Sequence, residues 1–536
     1  MAHATTLDRL IGVFDPARMR DRVKARAQLS VFNALSDSYS SAGPSGPSRL
    51  YRPAARDAAA DTLPALRTLR GQSRDLARNH PIAIGAIGTN LNRVVGTGLA
   101  LQAQPNRDVL GWTADQAQAW KRQVQTEFSI WADSTDCDIT AHGTFYDLQE
   151  LVLRSVLESG DAFSILPDAQ QASPAQPYRL RVQLLEADRI GNPGGGQDTD
   201  TVAGGIQFDA DGRPLRCHVY HRHPGAIMAP GHRAFDGAWW EFTGATGRRR
   251  VLHHFRKLRP GQPRGVPYLA PIIDCIKQLG RYTEAEINAA VVSSMFTVFI
   301  TNDAASPAPV FAGDQSSGPP GDAIEMGSGA VVGLAPKEKV EFANPTRPNT
   351  AFEPFVAAIV QQIAVALGLP YELLMKRFDS SYSASRAALL DAWMYLRGVR
   401  TWLSRSFCQP VYETWLAEAV SSGRINAPGF FRNPLLRWAY TRASWIGDSQ
   451  GSLDPKNEVA AYRDAIDANL MTHERAEWEL FGTDWSETTP QKVAERRVIE
   501  AGGLTPAPKP GAAAPGTQPA AAPAPAAPQP NEQTES

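Results

Sequence analysis

Residues 271–300, PIIDCIKQLGRYTEAEINAAVVSSMFTVFI, can be drawn as a single helix of nearly thirty residues, and no other segment limits the architecture as strongly. The apolar positions Ile272, Ile276, Leu279 and Ile287 recur with helical period, and a rod rising about 1.5 Å per residue reaches roughly 40 Å. That is far above the mean length of helices in globular proteins. Gly280 marks the weak point of an unbroken rod. The longest uncharged apolar part, INAAVVSSMFTVFI, is too short to cross a bilayer, so the rod is expected to pack against protein.

Downstream of the rod, long helical patterns recur. Residues 301–350 are rich in Gly and Pro and contain two candidate strands, GAVVGL and KVEFA. FEPFVAAIVQQIAVALGLP then reads as a second helix, stopped by Gly368 and Pro370. After the loop PYELLMKRFDSSYS a third helix starts at about Ser385. It carries Leu389, Trp393, Leu396, Leu403 and Phe407 on one side, with Arg386, Arg397 and Arg400 outside that stripe, until Pro410 bends or breaks it.

Upstream the pattern is mixed. LDRLIGVFDPARMRDRVKARAQL is a short amphipathic start, and SSAGPSGPSRLYRP is an arm whose composition disfavours a packed core. Two helical patterns cover Leu63 to Val95, divided at Pro81. The first places Arg67, Arg70, Arg74 and Arg78 on one face, which reads either as a solvated face or as a contact with a neighbouring subunit or DNA. TADQAQAWKRQVQTEFSIWADS predicts a helix with Trp120, Val124, Phe128 and Trp131 as its core stripe, and TFYDLQELVLRSVLES predicts another. DAFSILP, YRLRVQLLEADRI, GGIQFDADGRPLRCHVYHRH and RRRVLHHFRK read as short strands between Gly, Pro and Asp turns, so the middle of the chain is α+β. Residues 453–500 are helical, and the Ala/Pro-rich segment 501–536 reads as a disordered tail.

The totals exclude several classes. With 536 residues, 43% of them hydrophobic, the chain can bury sizeable cores. A formal charge of -1 argues against a protein that grips nucleic acid over its whole surface, while leaving room for a local basic stripe. Cys137, Cys217, Cys275 and Cys408 are scattered without a CxxC pair, which predicts neither a disulfide framework nor a zinc knuckle and fits a reducing compartment. Charges at Asp8, Arg9 and Asp15 do not suit a signal peptide, so synthesis in the cytoplasm as a soluble chain is expected.

Motifs of catalysis fare poorly. GDSQG, Gly447 to Gly451, has the GxSxG form of a nucleophile elbow, which needs a strand entering and a helix leaving directly; here SLDP comes next, and Asp454 with Pro455 reads as a helix start. Cys217, His221 and His223 alternate on one strand, the right chemistry for zinc, yet a site needs three or four converging ligands. HERAE lacks the second histidine of a zincin motif. No Gly-Lys dipeptide occurs, which removes a Walker phosphate loop, and NPGGGQD and VVGTGL lack a full dinucleotide fingerprint. The serines at 380, 381 and 383 begin no Ser-x-x-Lys pattern and suit a helix start, where side-chain oxygens accept from free backbone N–H groups.

Several stretches, in order, resemble the lambda-type bacteriophage portal proteins: LRGQSRDLARNHPIAIGAIGTNLNRVVGTGL, LLEADRI, RPGQPRGVPYLAPII, RYTEAEINAAVVSS, LGLPYELLMKRFDSSYSASRAALLDAW and DPKNEVAAYRDAI. The similarity runs from about residue 5 to 500, with 258–296 and 366–400 the most specific parts. It implies an α+β portal fold: an N-terminal arm (1–60), a wing (61–266), a first stem helix (267–300), a clip (301–350), a second stem helix (351–368), a tunnel loop (369–384), a tunnel helix returning to the wing (385–450), crown-like helices (451–500) and the tail (501–536).

The implied function is a dodecameric ring at one capsid vertex, the channel for packaging double-stranded DNA by terminase and for its ejection, and the platform for head-tail joining. The implied partners are other copies of the chain, the terminase large subunit, head-completion or adaptor proteins, major capsid and scaffold proteins, and DNA passing without sequence preference. Neither a membrane nor a cofactor is among them. The resemblance places Lys376, Ser380, Ser381, Tyr382, Ser383 and Arg386 at a DNA-facing loop, and makes the chain a non-enzymatic virion component. A serine or metal hydrolase using Ser449 or the 217–223 cluster, and another ring-forming capsid protein, are the competing readings.

Overall fold

The computed structural model of the chain describes residues 15–19, 21–22, 24, 54–167, 176–226, 235–294, 298–302, 338–342, 352–378, 381–449, 455–483 and 485–502. The candidate strand GAVVGL, Ser380, Asp454, most of the 1–60 arm and the tail from 503 onward lie outside these residues.

Besides the single turn Arg107–Leu110 and short 3-10 turns, the helices in chain order are α1 (Ala58–Asn79), α2 (Pro81–Val94), α3 (Ala114–Ala132), α4 (Phe145–Ser159), α5 (Ile273–Ser294), α6 (Phe352–Leu367), α7 (Tyr371–Met375), α8 (Tyr382–Leu403), α9 (Gln409–Ser421), α10 (Pro434–Thr441), α11 (Pro455–Asp467), α12 (His473–Phe481) and α13 (Trp485–Ala501). The strands are β1 (Ala100–Ala103), β2 (Asp161–Ile165), β3 (Gln183–Glu186), β4 (Val202–Ala203), β5 (Ile206–Phe208), β6 (Pro214–Tyr220), β7 (Gly237–Glu241), β8 (Val251–Phe255), β9 (Val298–Asn302), β10 (Glu338–Phe342) and β11 (Ala443–Ile446). They divide into two compact units, Met1–Leu91 with Ser129–Asn426, and Asn92–Phe128 with Ala427–Ser536.

The first unit is built on two antiparallel sheets, ordered β3-β2-β8 and β4-β5-β6-β7. Alternation puts Phe163 and Ile165 of β2 on the same side, where they share one core with Leu185, Ile206, Cys217 and Val219. α4 begins with a capping box: Thr144 accepts from the Asp147 N–H while Asp147 takes the Thr144 N–H. Its buried residues Phe145, Leu148, Val152 and Val156 recur three and four apart, the face a helix needs to cover a sheet. Trp131, Phe145 and Phe407 join across long sequence separations, with ring centroids 5.4 Å apart in both pairs. Trp131 satisfies its indole N–H on the Leu180 carbonyl at 3.0 Å.

The second unit pairs β1 with β11, Leu101 opposite Trp445. Trp120 lies 5.7 Å from Trp112 and 5.6 Å from Tyr440, and with Val124 and Phe128 forms the buried stripe expected from the spacing. The two Gly-bearing motifs meet here. Asp448 of GDSQG accepts from the Thr97 N–H at 2.9 Å and the Thr97 hydroxyl at 2.7 Å, so VVGTGL and GDSQG clasp each other.

Two helix boundaries differ from expectation. The rod drawn to residue 300 ends at Ser294, and Val298–Asn302 forms strand β9, which pairs antiparallel with β10 (Val340 opposite Ile300). The sequence Val-Phe-Ile-Thr explains it, because β-branched and aromatic side chains are stiff at χ1 and fit a pleated strand better than a helix end. KVEFA is a strand as expected. The third helix starts at Tyr382, and the irregularity comes before Pro410: a π-helical turn at Ser404–Cys408 joins α8 to α9. Pro410 lies in the first turn of α9, where a missing N–H costs little.

Candidate functional site: two helices launched from a buried ion network

Asp161, the first residue of β2, is fully buried, and a carboxylate there must be compensated. Arg264 Nε donates to it at 2.5 Å, Arg70 Nη2 at 2.6 Å and the Gly265 N–H at 3.3 Å, while His253 Nε2 lies 3.1 Å away. Arg264 spends its remaining donors on the carbonyls of Ala187, Ile190 and Gly204, at 2.7, 3.0 and 2.6 Å. Asp188 receives Arg70 at 3.3 Å and is also bound by Arg74.

Burial alone would raise the Asp161 carboxyl, but Arg264 and Arg70 outweigh it and hold it far below the ordinary carboxylate range. Burial lowers His253 against the pull of Asp161, and lowers the neighbouring His254 to about 3 with His253 adding to it. His254 Nε2 sits 2.7 Å from the Ser164 hydroxyl inside the core.

This network is where the long helices begin. Arg264 and Gly265 fix the loop that enters α5, and Tyr268, three residues past Gly265, donates its N–H to the Leu157 carbonyl at 3.0 Å. The Tyr268 hydroxyl donates to the Leu367 carbonyl at the end of α6, 2.5 Å away, and accepts from Asn90 at 3.4 Å. One phenol thus joins the start of α5 to the end of α6, and Tyr282 of α5 meets Phe352 and Phe355 of α6 at 5.7 and 4.9 Å. Two adjacent helices connected through β9 and β10 leave from a common base and return to it.

Past α6 the chain turns at Gly368, whose φ of +66° lies in the left-handed region, and runs through the single turn α7. Lys376 ends α7 at φ +55° and is exposed, while Arg377 reaches Glu353 at 2.9 Å. Ser381 caps α8 by accepting from the Ala384 N–H at 3.4 Å, the helix-start role expected of it. Ser381 and Ser383 are exposed, their hydroxyls 3.3 Å apart, and Arg386 is half-buried; Tyr382 opens the helix. α8 is tied back to the β2 sheet where the Trp402 indole donates to the Phe255 carbonyl at 3.3 Å.

The arginine face of α1 requires a correction. Arg70 is buried on Asp161 and Asp188, and Arg74 donates to the Ser159 hydroxyl at 3.0 Å and to Asp188, so these two guanidiniums are spent inside the subunit. Arg67 and Arg78, one turn to either side of them, are exposed. The four do share a face, as the spacing requires, but its middle lies over the start of β2.

Nor do the catalytic alternatives assemble. Cys217 is buried among Ile206 and Val219 with its thiol pushed up to about 12 by burial, while His221 and His223 lie past the end of β6. Among the described residues no group of His, Cys, Asp and Glu could hold a metal ion. β11 does run into GDSQG, whose residues 450–451 lie outside the described residues together with 452–454, and the described part of the motif is held by Asp448 on Thr97. The ion network is not among the features expected from sequence. Its one local signal is Asp161, a carboxylate opening a short strand of otherwise uncharged residues.

The model of the lambda family of phage portal proteins matches residues 45–400. Portal protein B of Escherichia phage lambda is 24% identical over 483 residues, covering 86% of this chain and 89% of that protein. The portal protein of Escherichia phage N15 is 23% identical, covering 86% and 90%. Among solved structures, the neck of an empty gene transfer agent particle aligns with a TM-score of 0.44 and 12% identity over 76% of this chain and 92% of that one. The chain belongs to the lambda family of phage portal proteins.

Proposed function

We propose that copies of this chain close into a dodecameric ring at one vertex of a phage capsid, and that the ring is the channel through which double-stranded DNA is packaged and ejected. The carrying observation is the Tyr268 clasp, which launches α5 and returns α6 from one buried base. Helices held at one end in this way suit the side-by-side packing of a closed heterologous ring. On this reading the α+β part up to residue 266 is the wing, α5 and α6 are the stem, β9 and β10 belong to the clip, and α11–α13 to the crown. The exposed Lys376, Ser381 and Ser383 belong to a loop facing DNA, with Ser380, Tyr382 and Arg386 beside them, and Arg67 and Arg78 remain surface contacts for a neighbour or for DNA.

The role is structural and not catalytic. A conduit must not hold its cargo, since each fixed phosphate contact adds affinity and a barrier to sliding, and small hydroxyls suit that need. Terminase supplies the motor, and head-completion proteins, the major capsid protein and scaffold meet the outer surfaces of the assembled virion component. Electron microscopy of the purified chain tests the reading: rings with twelvefold symmetry and a central hole are expected, and a compact monomer overturns it. For the loop, Lys376→Glu and Ser381→Asp should leave ring assembly intact and reduce DNA packaging; unchanged packaging removes the loop from the channel.

A further inference from the structure

Two surfaces of the second unit are left apolar in a single chain, and their charges are opposite. On α10 and the turn before it, Phe431, Leu435 and Trp438 are 61%, 56% and 48% exposed. A spacing of three puts Leu435 and Trp438 on one face of α10, and Phe431 lies in the turn that leads into it. Asn433 caps this helix, accepting from the Leu435 N–H at 2.9 Å, so the ridge is held in place. Its rim is mainly basic: residues 427–447 contain Arg432, Arg437 and Arg442 and no carboxylate, and the neighbouring turn Arg107–Leu110, joined to α10 by the Asn106 N–H on the Ala439 carbonyl, adds one exposed acid, Asp108, beside Arg107. Arg437 lies over Phe430 at 5.5 Å and Arg442 over Trp438 at 5.1 Å, which keeps guanidiniums beside the ridge.

The C-terminal helices have the complementary character. α11 buries none of its residues, and α12 buries only Ala476 and Glu477. α11 is partly covered by α12, where the Tyr462 hydroxyl donates to Glu479 at 2.9 Å, and a helix of this length with no fully buried residue gains from a further packed face. Leu470 is 82% exposed and Phe481 66%. Trp478 and Phe481 share one face of α12 with Glu474, whose carboxylate is taken by the Gln102 side chain of β1 at 3.0 Å, and Asp464 and Asp467 stand exposed on α11. Residues 455–482 hold six carboxylates against three Lys and Arg side chains; Glu477 is buried on Lys492 at 2.6 Å and Glu479 pairs with Arg475 at 3.0 Å, so the acidic surface is carried chiefly by Asp464 and Asp467.

We infer that the Phe431–Trp438 ridge of one copy docks on the α11–α12 face of the next copy. The inference rests on the ring reading, because a ring closes head to tail through two different surfaces of the same chain, and a basic apolar ridge and an acidic apolar face are such a pair. Charge depleted at the centre and kept at the rim is the usual anatomy of an interface, and opposite rims fix partner and register.

The test uses the full chain and two charge-reversed variants. One is Arg437→Glu with Arg442→Glu; the other is Asp464→Arg with Asp467→Arg. Each variant alone presents like charges to itself and should lose ring formation roughly tenfold or more at moderate salt, because like-charge juxtaposition is costly. Mixed one to one, every junction is again opposite in sign, so alternating rings should reappear, measured by light scattering and microscopy with the two variants mass-tagged. Near-UV circular dichroism identifies a variant that has failed to fold, and the other variant, whose acidic positions are exposed, then decides by its own loss of rings. Reversal variants that ring as well as the parent, or folded variants whose mixture gives no rings, overturn this inference and leave the ring reading intact. A parent chain that stays monomeric overturns both.

Discussion

Asp161 and Arg264 hold each other at 2.5 Å in a place where their side chains are 0% and 2% exposed, although more than a hundred residues separate them in the chain. The pair fastens the loop leading into α5 to the first residue of β2. Its loss would leave Arg264 without a carboxylate partner and Arg70 with Asp188 alone, and an uncompensated buried charge is among the costliest single changes. Asp161→Ala should therefore lower stability by about 3–5 kcal/mol, read from denaturant unfolding of the full chain. A loss under about 1 kcal/mol would mean that water reaches the site.

The same network sets the direction of acid sensitivity. The Asp161 carboxyl is held below its unfolded value of 3.8, so its contribution is fully present above that value and is lost as pH falls further. His254 acts earlier. Its folded value is about 3 against 6.5 unfolded, so between these the unfolded chain takes up a proton that the folded chain refuses. Stability should start to fall below about pH 6.5 and continue to fall to about pH 3, before the Asp161 contribution is gone. Denaturation midpoints measured from neutral pH down to the acid end of that window check this, and the part of the slope due to His254 should disappear in His254→Gln.

Gly160 and Gly265 approach so closely that a Cβ on Gly265 would collide with the Gly160 carbonyl, and one on Gly160, at φ +89°, with the backbone of Gly265. Gly265→Ala should cost about 3 kcal/mol, the upper end of overpacking, and should also perturb the Arg264 contacts beside it. Thermal unfolding of Gly265→Ala beside Gly71→Ala, in the middle of α1 where nothing lies near the added methyl and the backbone is helical, separates the collision from a general glycine effect.

How far the sequence discloses each feature depends on the range of the interaction behind it. Helix positions are legible because capping and apolar spacing are local: Thr144 with Asp147, and Trp120 with Val124 and Phe128, sit within a few turns of each other. The change to a strand at Val298 is hidden because its partner, β10, lies some forty residues on. The spacing of the α1 arginines discloses a face, but not that its middle is buried, since Asp161 and Asp188 are remote in sequence. GDSQG has the form of a nucleophile motif, and the contact it makes with Thr97 comes from Asp448. The serines before α8 are legible as a helix start from local chemistry alone, and Ser381 does cap it.

Tyr268 offers the most direct link between stability and the proposed channel. Its hydroxyl joins the base of α5 to the last carbonyl of α6, and burial pushes its ionisation up, with Tyr395 adding to it, so the phenol stays a donor at any working pH. Tyr268→Phe keeps the ring and removes the donor, leaving the Leu367 carbonyl unsatisfied at a cost of about 1–3 kcal/mol. Because the deleted bond lies at the helix base, opening should be local. Amide exchange should quicken over 273–279 and 363–367 while β2 and β8 stay protected. Equal acceleration in both regions would mean that the helices and the sheet open as one unit, and that Tyr268 is an ordinary core residue and not the hinge pin of the stem.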